Sequence, residues 1–119
     1  MDATVNVNGV VTAGDQAVVS VFDHGFLYGD GVYETLRTYN RHPFLLDRHL
    51  ARLRASATRL ALDVPPTDHE LETSMRDTMS RVNPEGEVML RMLVTRGVGD
   101  LTYDPASCPH PTIVIIARA

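Results

Sequence analysis

The sequence contains no lysine, because all eleven of its basic residues are arginine. Any reaction step that needs a lysine amine must therefore take it from outside these 119 residues. Cysteine is nearly absent as well. Cys108 is the single one, which excludes an internal disulfide and a metal cluster built on several cysteines. We expect Cys108 to lie in a loop without a chemical role.

Long apolar runs are also missing. No stretch approaches the roughly 20 residues of a membrane span, and no signal-peptide pattern opens the chain. The net charge of −4 and the lack of a basic tract argue against nucleic-acid binding. We therefore expect one cytoplasmic domain over residues 1–119 that binds neither nucleic acid nor membrane, and whose partner is a small molecule.

A glycine-rich stretch, DHGFLYGDGVYETLRTY (Asp23–Tyr39), begins like a turn and ends like a strand. Its glycines lack the spacing and the preceding strand of a dinucleotide-binding fingerprint. No phosphate-binding G-x-x-x-x-G-K-[ST] loop exists in the chain. Nucleotide binding through a P-loop is excluded, and the stretch needs another explanation.

Alternation and turn signals predict six strands. TVNVNGVVTA alternates apolar and polar residues around Asn8-Gly9, a dipeptide that suits a type I′ hairpin. A second hairpin is predicted with strands near residues 32–39 and 42–46, joined across Asn40-Arg41. EVMLRMLVTRG and PTIVIIARA are rich in β-branched and apolar residues, as buried strands are.

The first of two predicted helices covers residues 47–61. Asp47 is placed to accept the free amides of its first turn. One apolar stripe then recurs at helical spacing, as expected for a helix with one buried face. Its members are Leu50, Leu53, Ala57 and Leu60.

The second helix is predicted over residues 67–82. TDHE, Thr67–Glu70, is a capping box, and Asn83-Pro84 stops the pattern. Its apolar stripe consists of Leu71, Met75, Met79 and Val82. The order β-β-β-β-α-α-β-β predicts an α+β fold with two helices packed on an antiparallel sheet.

On the first helix, the period places His49, Arg52 and Ser56 on one border of the apolar stripe. The planar guanidinium of Arg52 could donate two hydrogen bonds to a phosphate there. Three further arginines decorate the same helix, so the residues alone favour a solvated arginine over a phosphate ligand.

Tyr33 and Arg37 lie four residues apart on a strand, hence on one face, and Glu34 points to the other. That face fits a ligand pocket and the wet side of a two-faced sheet equally well. Arg91 interrupts the apolar run VMLRMLV, so it is either a buried charge or the polar face of an edge position. Because burial of an unpaired charge is costly, we expect a negative partner for Arg91.

The stretch Asp23–Tyr39, followed by HLARLRASA on the first helix, resembles the N-terminal half of the class IV aminotransferases, the fold-type IV pyridoxal-phosphate enzymes. The resemblance covers nearly the whole chain, including LVTRGVGD before the last strand. D-x-G-x-x-Y-G-D-G-V-Y-E-T is specific to this family, whereas G-D-G alone is not. The resemblance implies pyridoxal 5′-phosphate as cofactor, an amino acid and a 2-oxo acid as substrates, and a homodimer.

The resemblance also assigns roles to single residues. Arg52, in H-x-x-R-L, matches the arginine that binds the cofactor phosphate, which reverses the preference for a solvated arginine. Tyr33 matches a position that lines the substrate pocket near the cofactor ring. Arg37 and Arg91 match strand positions that face the substrate in branched-chain members.

Two further segments resemble parts that the family lends across a dimer interface to the neighbouring active site. They are Tyr28 and the segment RGVGDLTY, Arg96–Tyr103. The family holds its cofactor covalently through a lysine in a second, larger domain. The chain has no lysine and ends at Ala119, where the resemblance places the interdomain linker. We therefore expect the small domain only, without a catalytic residue or activity of its own, and with Arg52 exposed and unpaired.

Three functions stay open. The first is an aminotransferase, and the second is an aminodeoxychorismate lyase, which shares the fold and cofactor but releases pyruvate. The third is a non-catalytic dimerising or ligand-binding module. Arg37, Arg91 and RGVGD favour a branched-chain-like transaminase. The 97–104 segment lacks the arginine-histidine pair that D-amino-acid enzymes use for the substrate carboxylate.

Overall fold

The computed structural model describes residues 2–82 and 85–119, which form a six-stranded antiparallel sheet with the two longer helices on one face. The strand order is β2-β1-β6-β5-β3-β4. The strands are β1 (Ala3–Val7), β2 (Val10–Ala13), β3 (Gly31–Tyr39), β4 (His42–Pro43), β5 (Met89–Thr95) and β6 (Thr112–Arg118). The helices are α1 (His24–Tyr28), α2 (Leu46–Arg59) and α3 (Asp68–Met79). The predicted α+β fold is confirmed.

The core lies between the two longer helices and one face of the sheet. α2 packs against β3, and α3 packs against β1 and β6. Every second side chain of the central strands points into this core, because side chains alternate along a strand. Among the most deeply buried core residues are Leu50, Leu53, Leu71, Met75, Leu90, Met92, Val94 and Ile115. In residues 2–82 and 85–119, no helix has the length and apolar character needed to cross a bilayer.

Both predicted hairpins are present. In the first, Asn8 and Gly9 adopt φ of 50° and 92°, as a type I′ turn requires. The second joins β3 to β4, which is shorter than predicted and ends at Pro43. The reason is Leu45, whose φ of 54° turns the chain away from the sheet and into α2.

The N-terminal boundary of α2 differs from the prediction. The helix begins at Leu46 after Leu45, so Asp47 falls inside the first turn and no side chain caps it. The prediction of Asp47 as the cap is therefore wrong. The helix ends at Arg59, and Leu60 lies beyond the buried stripe with 41% of its surface exposed.

The capping box of α3 is confirmed. The Thr67 hydroxyl accepts from the Glu70 amide at 3.1 Å, and the Glu70 carboxylate accepts from the Thr67 amide at 3.0 Å. The backbone hydrogen bond from Thr67 lowers the pKa of Glu70. The helix ends at Met79, before the predicted end, and the predicted stop at Asn83-Pro84 lies outside the described residues.

The short helix α1 was not predicted, and it explains the glycine-rich stretch. The Asp23 carboxylate accepts from the Gly25 amide at 2.8 Å and so caps the helix. Gly29 ends the helix in the left-handed region with φ of 66°. At Gly31, an added Cβ would lie 2.8 Å from the Val94 carbonyl oxygen. The stretch therefore forms one capped turn of helix and then places β3 closely against β5.

Candidate functional site

Three polar side chains meet where α2 packs against β3. Glu34 is only 6% exposed, and its two carboxylate oxygens accept from Arg52 Nε at 3.0 and 2.9 Å. Arg52 Nη2 donates to the same carboxylate at 2.8 Å. His49 Nδ1 lies 2.7 Å from Glu34 Oε1, an oxygen that also accepts from Arg52. His49 and Arg52 reach one carboxylate because residues three apart on a helix are neighbours.

The Glu34–Arg52 pair is charged on both sides. Burial raises the pKa of the Glu34 carboxyl, but the hydrogen bonds with Arg52 and His49 outweigh burial and hold this pKa below its usual value. The hydrogen bond with Glu34 raises the pKa of Arg52. The Glu34 carboxylate is therefore ionised at neutral pH, and it accepts bidentate hydrogen bonds from Nε and Nη2 of Arg52.

Arg52 still presents part of its guanidinium to solvent. Its side chain is 67% exposed, and Nη1 has no hydrogen-bond partner within residues 2–82 and 85–119. The expectation that Arg52 is exposed is confirmed, and the expectation that it is unpaired is wrong. The physical reason is that Glu34 faces α2 from β3, and a carboxylate at a buried position needs a partner.

The other face of the sheet, here called the open face, carries Tyr33, Thr35 and Arg37, as the strand alternation predicted. Arg91, the β5 partner of Thr35, lies on the same face. Arg91 is exposed, and its Nε donates to the Thr35 hydroxyl at 3.1 Å. Its guanidinium carbon lies 5.1 Å from the centre of the Tyr33 ring. The prediction of a negative partner is wrong, because Arg91 lies on the open face, where water solvates the charge. β5 is also an inner strand and not an edge.

Arg37 lies further along the open face. Its guanidinium carbon lies 4.2 Å from the centre of the Tyr39 ring, and its Nε donates to the Thr38 carbonyl at 3.1 Å. A guanidinium over an aromatic ring is held by a cation–π contact. Arg37 is thus an oriented positive charge on the same face as Tyr33.

A cavity of about 440 Å³ opens beside Tyr33 on the open face. Aliphatic and aromatic side chains form much of its wall, and glycines of the α1 stretch form part of the rim. Among its lining residues are Val19, Phe26, Tyr33, Leu93, Val114 and Ile116. A cavity of this size and lining can take a small aliphatic group.

The two segments assigned to a dimer interface lie together. The Tyr28 ring centre lies 4.9 Å from that of Tyr103 and 4.9 Å from that of His24. His24 is 1% exposed, and its Nε2 lies 2.8 Å from the Asp100 carbonyl oxygen. The buried histidine therefore joins α1 to the 96–103 segment. No sequence signal pointed to this contact, because its partner is a backbone carbonyl distant in the chain.

β3 separates the predicted site residues into groups. Arg52 contacts the helix side of this strand, whereas Tyr33, Arg37 and Arg91 lie on the open face. Tyr28 belongs to the α1 contact with the 96–103 segment. Sequence reasoning missed Glu34 as the partner of Arg52. The sequence did contain a signal for this pair. Glu34 is a carboxylate at a strand position that faces the core, and His49 and Arg52 lie at the border of the buried face of α2.

The sequence model of the family "Amino-transferase class IV" matches residues 31–119. A Methanocaldococcus jannaschii protein designated a branched-chain-amino-acid aminotransferase is 46% identical over 113 residues, which cover 95% of this chain and 39% of that protein. The aminodeoxychorismate lyase of Bacillus subtilis (strain 168) is 36% identical over 112 residues, which cover 92% of this chain and 38% of the lyase.

Solved structures agree with the sequence relatives. The branched-chain amino acid aminotransferase from Escherichia coli matches this chain with a TM-score of 0.87 at 26% identity. The match covers 98% of this chain and 41% of that one. The chain thus spans about two fifths of the length of the curated relatives it matches. It belongs to the class IV aminotransferase family.

Proposed function

We propose that the protein containing this chain is a pyridoxal-phosphate-dependent aminotransferase that moves an amino group between an amino acid and a 2-oxo acid. The proposed amino acid carries a branched or similar aliphatic side chain. The observation that carries the proposal is the exposed part of the Arg52 guanidinium, held in place by Glu34 in a chain of this family.

Arg52 has the chemistry that a cofactor phosphate requires. A guanidinium has five N–H groups, and Glu34 takes the Nε–H and one Nη2–H, which leaves three for an anion. A phosphate dianion accepts such paired N–H bonds from a planar fork. The residues present therefore fit the phosphate group. When bound, pyridoxal phosphate supplies an electron sink for the substrate carbon that carries the amine.

The substrate is proposed to lie against the open face of the sheet. The cavity beside Tyr33 is lined largely by apolar side chains, which suits an aliphatic side chain and excludes water from it. Arg91 and Arg37 place positive charge further along the same face, where they can orient a carboxylate. In this proposal Tyr28 and the 96–103 segment complete the site of a neighbouring subunit.

The lysine that binds the cofactor covalently is proposed to lie in a part of the protein other than these 119 residues, which contain none. The chain would then bind and orient, but not move protons at the substrate carbon. The purified 119-residue chain, given pyridoxal phosphate, leucine and 2-oxoglutarate, should form no glutamate. Measurable turnover by this chain would contradict that assignment.

A homodimer is part of the proposal. Around α1 and the 96–103 segment, several large apolar side chains are exposed, and exposed apolar surface of this kind marks interaction sites. They include Phe26, Leu101 and Tyr103, with 70%, 71% and 86% of their surface exposed. We propose that a second copy of the protein covers them. The cytoplasmic location stays a prediction.

A second candidate function is that of an aminodeoxychorismate lyase. The observation that favours it is the 36% identity with the Bacillus subtilis lyase over nearly the whole chain. A lyase would use the same Arg52 contact with the cofactor phosphate. It would differ by releasing pyruvate without an amino acceptor.

The two functions are separated with the full-length protein and pyridoxal phosphate. In one assay, leucine, isoleucine and valine are each mixed with 2-oxoglutarate, and glutamate formation is measured. In the other, aminodeoxychorismate is supplied alone, and pyruvate is measured. The proposal predicts glutamate in the first assay and no pyruvate in the second. Pyruvate alone would favour the lyase, and inactivity in both assays would favour a non-catalytic module.

A further inference from the structure

Glu34 is a buried ion on β3 that faces α2. Its side chain is 7% exposed, and a carboxylate at that depth is costly unless it is paired. Both partners, His49 and Arg52, come from α2. Both contact Oε1 of the carboxylate, and Arg52 also contacts Oε2. A purely structural link between a strand and a helix would be made at lower cost by apolar side chains.

We propose that Glu34 is a positioning residue for Arg52, with His49 holding the same carboxylate at its Oε1 atom. In this arrangement the Nη1 and Nη2 groups of Arg52 stand ready for the cofactor phosphate before it binds. The inference rests on the proposed role of Arg52 in binding that phosphate.

The physical argument is preorganisation. An exposed arginine samples many rotamers and loses that freedom when it binds an anion. Glu34 already holds the Nε edge of Arg52 in two hydrogen bonds, so less freedom is lost on phosphate binding. Glu34 is itself fixed, because it projects from the inner part of β3 and contacts His49 as well.

The charge of Glu34 acts in the opposite direction. A carboxylate next to a phosphate dianion repels it, so a neutral variant would lose positioning and repulsion together. Glu34→Asp separates the two effects, because it keeps the charge and withdraws the carboxylate by one methylene group. It is therefore the decisive variant.

The experiment compares pyridoxal phosphate with pyridoxal, which lacks the phosphate, in titrations of the full-length protein. The expected result for Glu34→Asp is a loss of about 2- to 10-fold in affinity for pyridoxal phosphate, as for one side chain newly immobilised on binding. Affinity for pyridoxal should not change. Arg48→Ala is the control, because Arg48 is an exposed arginine on the same helix.

The outcomes distinguish the proposed phosphate-binding role of Arg52 from the inferred positioning role of Glu34. If Arg52→Ala weakens pyridoxal phosphate binding and Glu34→Asp does not, the positioning inference is overturned and the role of Arg52 stands. If Arg52→Ala has no effect, both are overturned. Equal losses for pyridoxal and its phosphate in Glu34→Asp would mean a structural role only and would overturn the inference.

A second measurement needs no cofactor. In the full-length protein without cofactor, the Nε–H resonance of Arg52 should be protected from solvent exchange by Glu34, unlike that of Arg48. Glu34→Asp should remove the protection, and an unchanged exchange rate would overturn the inference. If the Glu34→Asp variant does not fold, the His49→Ala variant tests the positioning inference instead. It should give a smaller loss specific to pyridoxal phosphate, and no loss would overturn the inference.

Discussion

Tyr33 and Glu34 are neighbours in β3, and their side chains project to opposite faces of the sheet. Tyr33 is 62% exposed beside the cavity on the open face, and Glu34 is 6% exposed against α2. Because Glu34 holds Arg52, the strand β3 positions Arg52, which we propose binds the phosphate, on one side of the sheet. On the other side it positions Tyr33, which we propose contacts the substrate. The strand begins at Gly31, where the close approach to Val94 sets its position.

Arg96 should be a main contributor to stability. Its guanidinium binds Asp30 at 2.9 and 3.2 Å and also donates to the carbonyls of Leu60 at 2.7 Å and Ala61 at 2.9 Å. It thereby joins the end of α2 to β5. With 13% of its side chain exposed, Arg96→Ala should lower the free energy of unfolding by about 1.5–3 kcal/mol, measured by urea denaturation.

The matched control for Arg96 is Arg59→Ala. Arg59 is an exposed arginine in the last turn of α2, and the described residues give it no acidic partner. Its removal should change the free energy of unfolding by less than about 0.5 kcal/mol. Equal effects of the two variants would mean that Arg96 acts only through general charge.

The capping box gives a prediction for α3. Thr67→Ala removes the hydroxyl that accepts from the Glu70 amide and should cost about 1 kcal/mol of stability. Thr73→Ala, at an exposed position inside the same helix, is the control and should not destabilise, because alanine favours helices. If both variants have the same urea midpoint as the wild-type protein, the capping box makes no measurable contribution to stability.

Glu87 gives a pH-dependent prediction. Its carboxylate accepts from the amides of Arg41 and Asn40 and from the Thr38 hydroxyl. The backbone hydrogen bond from Arg41 is the largest cause that lowers the pKa of Glu87. A carboxyl group with a lowered pKa in the folded state stabilises the fold. This stabilisation is complete at pH values above the pKa of the unfolded state, about 4.3, and it is lost as the pH falls through the pKa of the folded state.

The stability difference between wild type and Glu87→Gln should therefore be constant from pH 7 to about pH 5 and shrink towards pH 3. Denaturation at several pH values measures it. Glu72→Gln is the control, since Glu72 forms an exposed i,i+4 pair with Arg76 that contributes only a few tenths of a kcal/mol. A Glu87→Gln difference that grows on acidification would show that the sign of the argument is wrong.

Patterns with a local cause could be predicted from the sequence. The Asn8-Gly9 hairpin, the Thr67–Glu70 capping box and the alternation that separates Tyr33 from Glu34 each depend on residues close together in the chain. These features came out as predicted. The roles of Tyr33, Arg37, Arg52, Arg91 and Tyr28 at a cofactor or substrate stay predictions.

The errors have a common cause, because each depends on a contact or backbone angle that no local pattern encodes. Asp47 is not the N-cap of α2 because Leu45 adopts a positive φ and the helix begins at Leu46. Arg52 gained a partner because a strand 18 residues earlier in the chain brings Glu34 under α2. Arg91 lacks the expected carboxylate because the two longer helices, α2 and α3, cover the opposite face of the sheet.

The central claim is that Arg52 binds the phosphate of pyridoxal phosphate. The most direct test is a cofactor titration of the full-length protein carrying Arg52→Ala or Arg48→Ala. The account predicts that Arg52→Ala weakens binding by roughly 10- to 150-fold, the value of a charged hydrogen-bonded contact, and that Arg48→Ala changes it little. Equal losses for the two variants, or no loss for Arg52→Ala, would contradict the account.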